Sequence, residues 1–327
     1  MEEEFPVKCY KNSYDIGKFL TYHPGGFNYL QNYENKNVER RMRETNHSTT
    51  AYYLLREYEI DGRDVDQHED NEDLEHLVDW NKPMLSQIGK LGTKYNQWVT
   101  LPVDRELRLF GNPLIENLTK TPWFLVPIIW LPVIVVFLHI GWQDYTKSTR
   151  QPIHTSILSA IGLTAFGVVI WTLLEYTIHR WVFHKMPSGH SKAQIVFHFI
   201  THGLHHKVPF DHKRLVFPPF PAAIVGSILL AIYSKIFPGS VLFLVAGGTA
   251  LGYVTYDMIH FYLHYGSPKE NTFLYNMKRY HNQHHFVHQD TGFGISNKTW
   301  DYFFGTLINL KKLAMPIKWS TCFSKNK

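Results

Sequence analysis

Four short histidine clusters, each set beside an apolar run, constrain this chain more than any other feature. They are YTIHRWVFH, HGLHH, DMIHFYLH and HNQHH, and they carry His179, His184, His202, His205, His206, His260, His264, His281, His284 and His285, ten of the 20 histidines in the sequence. A buried imidazole needs partners for both ring nitrogens, so an ordinary apolar core has no use for so many. A metal centre does, and imidazole suits iron, zinc and copper alike.

The spacing within each cluster says which rings can act together. His260 and His264 are i, i+4 and share one helix face. The triplets His202–His205–His206 and His281–His284–His285 combine i+3 and i+4, so on a helix each spans roughly a hundred degrees. Such a triplet can turn two rings to one metal and the third to a neighbouring one. His179 and His184 are i, i+5 and lie about 140° apart on a regular helix. They can meet one metal only if the helix ends or bends there; otherwise they divide between two. Ten nitrogens exceed what one six-coordinate ion can use, which favours two metals. Glu175 and Asp257, one turn before His179 and His260, are expected to accept the far ring N–H and so fix each imidazole's tautomer. Asp211, Asp290 and Asp301 are weaker candidates for that task, and His190, His198, His212 and His288 lie outside the clusters.

Composition places this chemistry in a membrane. Aromatic residues make up 15% of the 327-residue chain and charged residues only 19%, which leans away from a soluble protein. Four apolar stretches, 123–140, 155–174, 221–237 and 240–259, approach the length needed to cross a bilayer. Prolines 127 and 132 predict kinks in the first span, and Lys235 lies within the third. Basic residues gather after the second span (Arg180, Lys185, Lys192, Lys207, Lys213, Arg214) and after the fourth (Lys278, Arg279, Lys298, Lys311, Lys312, Lys318), with only Lys147 and Arg150 between the first two. By the positive-inside rule both termini and all four histidine clusters face the cytosol. The net charge of +5 is scattered rather than striped with aromatics, which gives nucleic-acid binding no support. Cys9 and Cys322 form no spacing motif, so neither a disulfide framework nor a cysteine zinc site is expected. The acidic start MEEEFPVK predicts no cleavable leader.

Residues 1–65 have a soluble character. SYDIGKFLTYHPGGFNYL reads as a strand, a short helix and a turn carrying His23; in NHSTTAYYLLREYEIDG, His47 precedes a helix with Ser48 as its cap. This pair resembles the haem-binding domain of the cytochrome b5 family, in which two such imidazoles are the axial ligands. The resemblance implies haem b held by His23 and His47 in a small, N-terminally shortened domain, with Asn46 where the family has glycine. Residues 66–112 read as a connector: the acidic run DVDQHEDNEDLEH is expected to be solvated, with His68 and His76 exposed, and the Trp-containing stretch after it to lie at the bilayer interface or pack on the membrane domain. Residues 113–315 form the membrane domain and 316–327 a cytosolic tail.

In order, the clusters match the pattern HX3-4H, HX2-3HH, HX3H, HX2HH, and with DWNKPML, PVDRELRLF and HHFVHQDTGFGIS they resemble the fatty acid hydroxylase/sterol desaturase family of membrane di-iron oxygenases over about residues 75–312. The resemblance implies a mainly α fold: four transmembrane helices under a cytosolic, helical, His-rich di-metal cap, preceded by the b5-like domain. It also implies two iron ions held by the ten clustered histidines, with zinc possible in purified samples. The reaction implied is hydroxylation of C2 on a long-chain fatty acyl group (free acid, CoA ester or ceramide) for sphingolipid synthesis. O2 is the oxidant, and electrons come from NADH-cytochrome b5 reductase at the endoplasmic reticulum membrane. A desaturase or sterol oxidase on the same scaffold is the nearest alternative, and a non-catalytic metal or haem membrane protein a more distant one.

Overall fold

The computed structural model describes residues 4–20, 22–23, 30–45, 47–60, 74–269 and 271–310. Four helices are long and apolar enough to cross a membrane: Leu125–Thr149, Ile153–Phe183, Pro219–Ile236 and Gly239–Tyr265. They coincide with the four expected spans. The first, second and fourth run well past the apolar stretch that marks them in the sequence, because the helix continues into polar residues once it is started. Lys235 sits in the last turn of the third span, where a cation meets the negative end of the helix dipole. Pro132 lies inside the first helix and Pro127 in its first turn, where a missing N–H costs nothing.

The fourth span is the axis of the bundle. Half of its apolar window is buried, against 6–17% for the other three. Glycine makes that possible. A Cβ on Gly248 would come within 2.0 Å of the Thr164 carbonyl oxygen, and one on Gly167 within 2.2 Å of the Val245 carbonyl oxygen. Spans two and four therefore touch backbone to backbone, as small residues allow in a membrane. Gly141 holds span one against Leu244 in the same way, its Cβ position lying 2.7 Å from the Leu244 nitrogen. Thr249 adds a hydrogen bond to the Gly167 carbonyl (3.2 Å), and outward-facing Ile128, Val135, Ile161, Val169 and Ile228 are left exposed for lipid.

A helical layer lies over the end of the spans that carries the histidine clusters. Leu74, Met84, Ile88, Tyr95 and Trp98 are fully buried against Ile195, Phe199, Leu204 and Val208. The segment read as a connector is thus, from residue 74 onward, part of the cap's own core. Glu75 corrects the expectation of a solvated acidic run: it is buried, and its carboxylate receives the buried Lys207 ammonium at 2.6 Å. An acid in that run stays in water unless a cation waits inside, and Lys207 does. His76 is exposed as expected; His68 lies outside the described residues.

The N-terminal unit pairs β1 (Pro6–Cys9) with β2 (Asn12–Asp15) antiparallel. Helices Glu39–Glu44 and Thr49–Leu55 follow, and the Ser48 hydroxyl caps the second by accepting from Ala51 N–H. The helix expected before His23 is reduced to turns, Leu20 N–H to Ile16 O and His23 N–H to Phe19 O, since Pro24 disfavours a helical residue in front of it. The HPGG turn beyond His23 lies outside the described residues.

The glycine contacts generate a prediction. Gly248→Ala and Gly167→Ala should each lower the thermal midpoint in detergent by the equivalent of about 1–3 kcal/mol, as overpacking does. Gly162→Ala, whose Cβ would meet nothing within 4 Å, should leave it unchanged.

Candidate metal centre

The second span does not finish as a regular helix. From His179 to Phe183 it widens into a π turn, closed by His184 N–H donating to the His179 carbonyl (3.0 Å). The extra residue per turn brings an i, i+5 pair onto one face, which a regular helix forbids. The two rings lie 4.7 Å apart by centroid and their Nε2 atoms 3.2 Å apart. A second π turn, Phe199–Gly203, runs into the HGLHH cluster and contains its first histidine, His202. It leaves His198 pointing away, its Nδ1 2.7 Å from the buried Tyr95 hydroxyl, while His202 turns inward.

All ten clustered histidines converge, and they sort into two sets of five. His179, His184, His202, His206 and His284 form the first; His205, His260, His264, His281 and His285 form the second. Within each set one ring nitrogen per residue lies within 4.8 Å of every other. Each triplet divides as its spacing allows, sending two rings to one set and one to the other. His284 Nε2 is 3.0 Å from His184 Nε2, and His205 Nε2 is 3.0 Å from His285 Nε2. The sets adjoin: His206 and His285 stack at 4.3 Å.

The nitrogen geometry tests whether these residues fit a metal. His179 Nδ1 donates to the Phe293 carbonyl (2.6 Å) and His284 Nδ1 to the Thr291 carbonyl (2.8 Å), so the Nε2 lone pairs face inward. Inside, His202 Nε2 lies 3.0–3.1 Å from the Nε2 atoms of His179, His184 and His206. His281 Nε2 lies 2.9–3.1 Å from those of His260, His264 and His285. Metal–nitrogen bonds of about 2.1 Å at right angles put neighbouring nitrogens about 3.0 Å apart. The arrangement is compatible with a centre of two metal ions. Burial first, then the neighbouring imidazoles, hold His184, His202, His205, His206, His281 and His285 well below their usual pKa, and burial takes His284 down to about 4. These rings are neutral at pH 7, the form a metal takes.

The carboxylates beside the clusters do a different job from the one expected of them. Asp257 has both oxygens 3.2 Å from the Phe217 N–H. Glu175 accepts from Ile295 N–H, Ser296 N–H and the Ser296 hydroxyl at 2.6–2.8 Å. In the hydrogen bonds of the described residues neither receives an imidazole N–H, because a carboxylate one turn away along the same helix finds a free backbone N–H across the fold first. Asp301 accepts from Phe293 N–H and Gly294 N–H. Glu175 and Asp301 together therefore clamp the loop whose Phe293 carbonyl orients His179. Backbone carbonyls 291 and 293 are the ring acceptors that residue types could not reveal; the glycines of the TGFGIS run, one with φ +74° at Gly292, are their only trace in the sequence. Asp211 pairs with Arg214 at 2.6 Å instead of with a ring. The Nδ1 atoms of His281 and His285 are buried without a partner among the described residues.

A separate histidine pair lies in the N-terminal unit. His23 and His47 present near-parallel rings, 24° apart with centroids at 6.0 Å. His47 Nδ1 lies 3.1 Å from the Met42 carbonyl and 2.8 Å from the Thr45 hydroxyl, which leaves Nε2 to face His23. Burial pushes His23 down to about 3 and lowers His47 as well. Two imidazoles bound on opposite sides of one metal at about 2 Å each have centroids about 6 Å apart, so the pair fits an axially ligated iron.

Residues 164–306, which include all ten clustered histidines, match the family described as fatty acid hydroxylase. The fatty acid 2-hydroxylase of Mus musculus is 40% identical over 333 residues, which is 90% of this chain and 89% of the mouse protein. That of Rattus norvegicus is 48% identical over 244 residues, 71% of this chain and 65% of the rat protein's length. The ceramide very long chain fatty acid hydroxylase SCS7 of Saccharomyces cerevisiae is 30% identical across 90% of this chain and 88% of its own. A solved structure titled full-length scs7p, with only its hydroxylase domain visible, superposes with a TM-score of 0.62 at 33% identity, covering 74% of this chain and 89% of that one. With four spans, two five-histidine sets and relatives that align along nearly the whole sequence, the chain belongs to the fatty acid hydroxylase family, among the fatty acid 2-hydroxylases.

Proposed function

We propose that this protein hydroxylates C2 of long-chain fatty acyl groups destined for sphingolipids, using O2 and two electrons per turnover. The observation that carries the reading is the convergence of ten clustered imidazoles into two adjoining sets at the ends of membrane-spanning helices. Two iron ions held by these sets would supply the O2 chemistry that replaces a C–H hydrogen with hydroxyl. The chain's residues do the rest. His179, His184, His202, His206 and His284 would hold one ion, and His205, His260, His264, His281 and His285 the other. Phe183, stacked on His202 at 5.1 Å, and Phe293, 5.3 Å from His184, wall the first set with apolar surface. That wall excludes water and suits an acyl chain arriving from the bilayer. Asp257 acts at a distance, tying the fourth span to the strand of chain that enters the third.

The fit of His23 and His47 to an axially ligated iron supports haem b in the N-terminal unit, with NADH-cytochrome b5 reductase as its electron source. The distribution of basic residues supports a multi-pass protein of the endoplasmic reticulum membrane, with both termini and the histidine cap in the cytosol.

Expression in cells that lack endogenous 2-hydroxylation, followed by sphingolipid mass spectrometry, tests the activity. The parent should produce 2-hydroxy acyl chains and His260→Ala none; new double bonds or altered sterols instead would transfer the protein to desaturase or sterol oxidase chemistry. Metal analysis tests the division into sets: His184→Ala and His264→Ala should each lower bound iron from about two ions per chain towards one. Loss of both ions in each variant would show one inseparable cluster. Optical spectra of the purified protein should contain a haem band that His23→Ala or His47→Ala abolishes, with iron at the ten-histidine centre unchanged.

A further inference from the structure

The N-terminal unit shares its core with the histidine cap. Phe210 and Phe286 pack into the cluster formed by Phe5, Val7, Tyr14, Leu54 and Tyr58. Phe210 stacks on Tyr22 at 5.3 Å and meets Phe19 edge-on at 5.8 Å. Phe19 in turn meets the His23 ring at 5.8 Å. Tyr22 also touches Tyr265, at 5.8 Å. Polar ties fasten the other edge of the seam. Arg105 donates twice to Glu57 (2.5 and 2.8 Å), the Tyr58 hydroxyl donates to Asp104 (2.7 Å), and the Tyr53 hydroxyl donates to Glu75 (2.5 Å).

The seam has a direction. Tyr265 directly follows His264 and Phe286 directly follows His285, both members of the second set. The first set is walled by Phe183 and Phe293, which have no place in the seam. His23 is therefore connected by ring contacts to one set in particular.

We propose that the N-terminal unit is docked in a fixed pose on the histidine cap, and that this pose passes electrons from the His23–His47 group to the metal of the second set across the Phe19–Phe210 and Tyr22–Tyr265 contacts. The electron route rests on the haem and iron reading above; the docking does not. Each transfer would take one electron from the haem iron (ferrous to ferric) to the second-set iron (ferric to ferrous), and the first electron would move on to the iron of the adjoining first set before the second arrives. Two transfers, with a flavoprotein reductase re-reducing the haem after each, supply the two electrons that, with two protons, turn the second oxygen atom of O2 into water. Phe19, Tyr22, Phe210 and Tyr265 are positioning residues: tunnelling falls steeply with distance, and these rings keep the two groups in van der Waals continuity. The first set is left free for the acyl chain on its apolar side.

Hydrogen–deuterium exchange on the full-length protein in lipid reads the docking whether or not haem is bound. Segments 19–23 and 207–211 should both exchange slowly in the parent. Glu57→Arg sets two guanidinium groups against each other and should speed exchange in both segments by about fivefold or more. Adding Arg105→Glu restores the ion pair with its sign reversed and should restore protection, which general misfolding would not allow. Unchanged exchange in the single variant, or no recovery in the double, overturns the docking. Rapid mixing of reduced protein with O2 and acyl substrate, followed at the haem band, reads the electron route. Haem re-oxidation should be about tenfold slower in Glu57→Arg and recover in the double variant. Re-oxidation that ignores both substitutions overturns the route while the docking stands. A parent with no haem band but an intact exchange pattern overturns the route and the haem reading together.

Discussion

Ten inward-facing nitrogen lone pairs, buried and about 3 Å from their neighbours, repel one another unless something positive lies between them. Protonation cannot supply it: burial and the crowd of rings disfavour imidazolium at every one of these positions outside the spans. Metal cations can, and the fold is arranged around keeping the nitrogens in place for them. The Phe293 and Thr291 carbonyls turn His179 and His284. Glu175 and Asp301 hold the loop that carries those carbonyls. Removal of either carboxylate would act on the metal through a backbone segment rather than by direct contact.

The membrane helices set the heights at which ligands arrive. Span two delivers His179 and His184, and span four delivers His260 and His264, one pair to each set. Rings on two helices can share a centre at ångström precision only if the helices cannot slide. Gly167 and Gly248 prevent sliding by bringing backbone against backbone, where a displaced helix has no soft side chain to absorb the shift. The π turn at His179–Phe183 completes the geometry. Single-turn π segments cost regular hydrogen bonding and concentrate at functional sites, and here one converts an i, i+5 pair into two rings on a single face.

Spacing made much of this legible in the sequence. The split of each triplet between two sets follows from i+3 and i+4 on a helix, while the i, i+5 pair left two outcomes open, a break in helix regularity or a division between two metals, and the π turn realises the first. Apolar runs located the spans but understated their length, since Thr146, Lys147 and the His–Arg pair at 179–180 are helical without being apolar. Two things could not be read. The acceptors behind His179 and His284 are carbonyl oxygens, which every residue has. The partner of Glu75 is Lys207, far off in the sequence, and an isolated acid in an acidic run gives no sign that it will be buried. The expectation for Glu175 and Asp257 failed for a related reason: adjacency along a helix fixes where a side chain starts, while its hydrogen bond is decided by what the rest of the fold brings up to it.

Lys207 shows how the parts are joined. Its carbonyl accepts from Val103 N–H, and its ammonium, fully buried, reaches Glu75 and the carbonyls of Trp98 and Leu101. Desolvation lowers its pKa to about 8 even with the carboxylate alongside, so the pair is no bargain in net stability. What it contributes is register. Glu75 also receives the Tyr53 hydroxyl of the N-terminal unit, and Lys207 follows His206 in the chain. An apolar contact in this position could slip by a side-chain width and remain favourable. A buried ammonium with three acceptors cannot, because any displacement leaves a charge unpaired in a medium that punishes it. The ion pair therefore ties the position of the N-terminal unit to that of His206, a ring of the first set, while the Tyr22–Tyr265 and Phe286 contacts hold the same unit against residues that follow rings of the second.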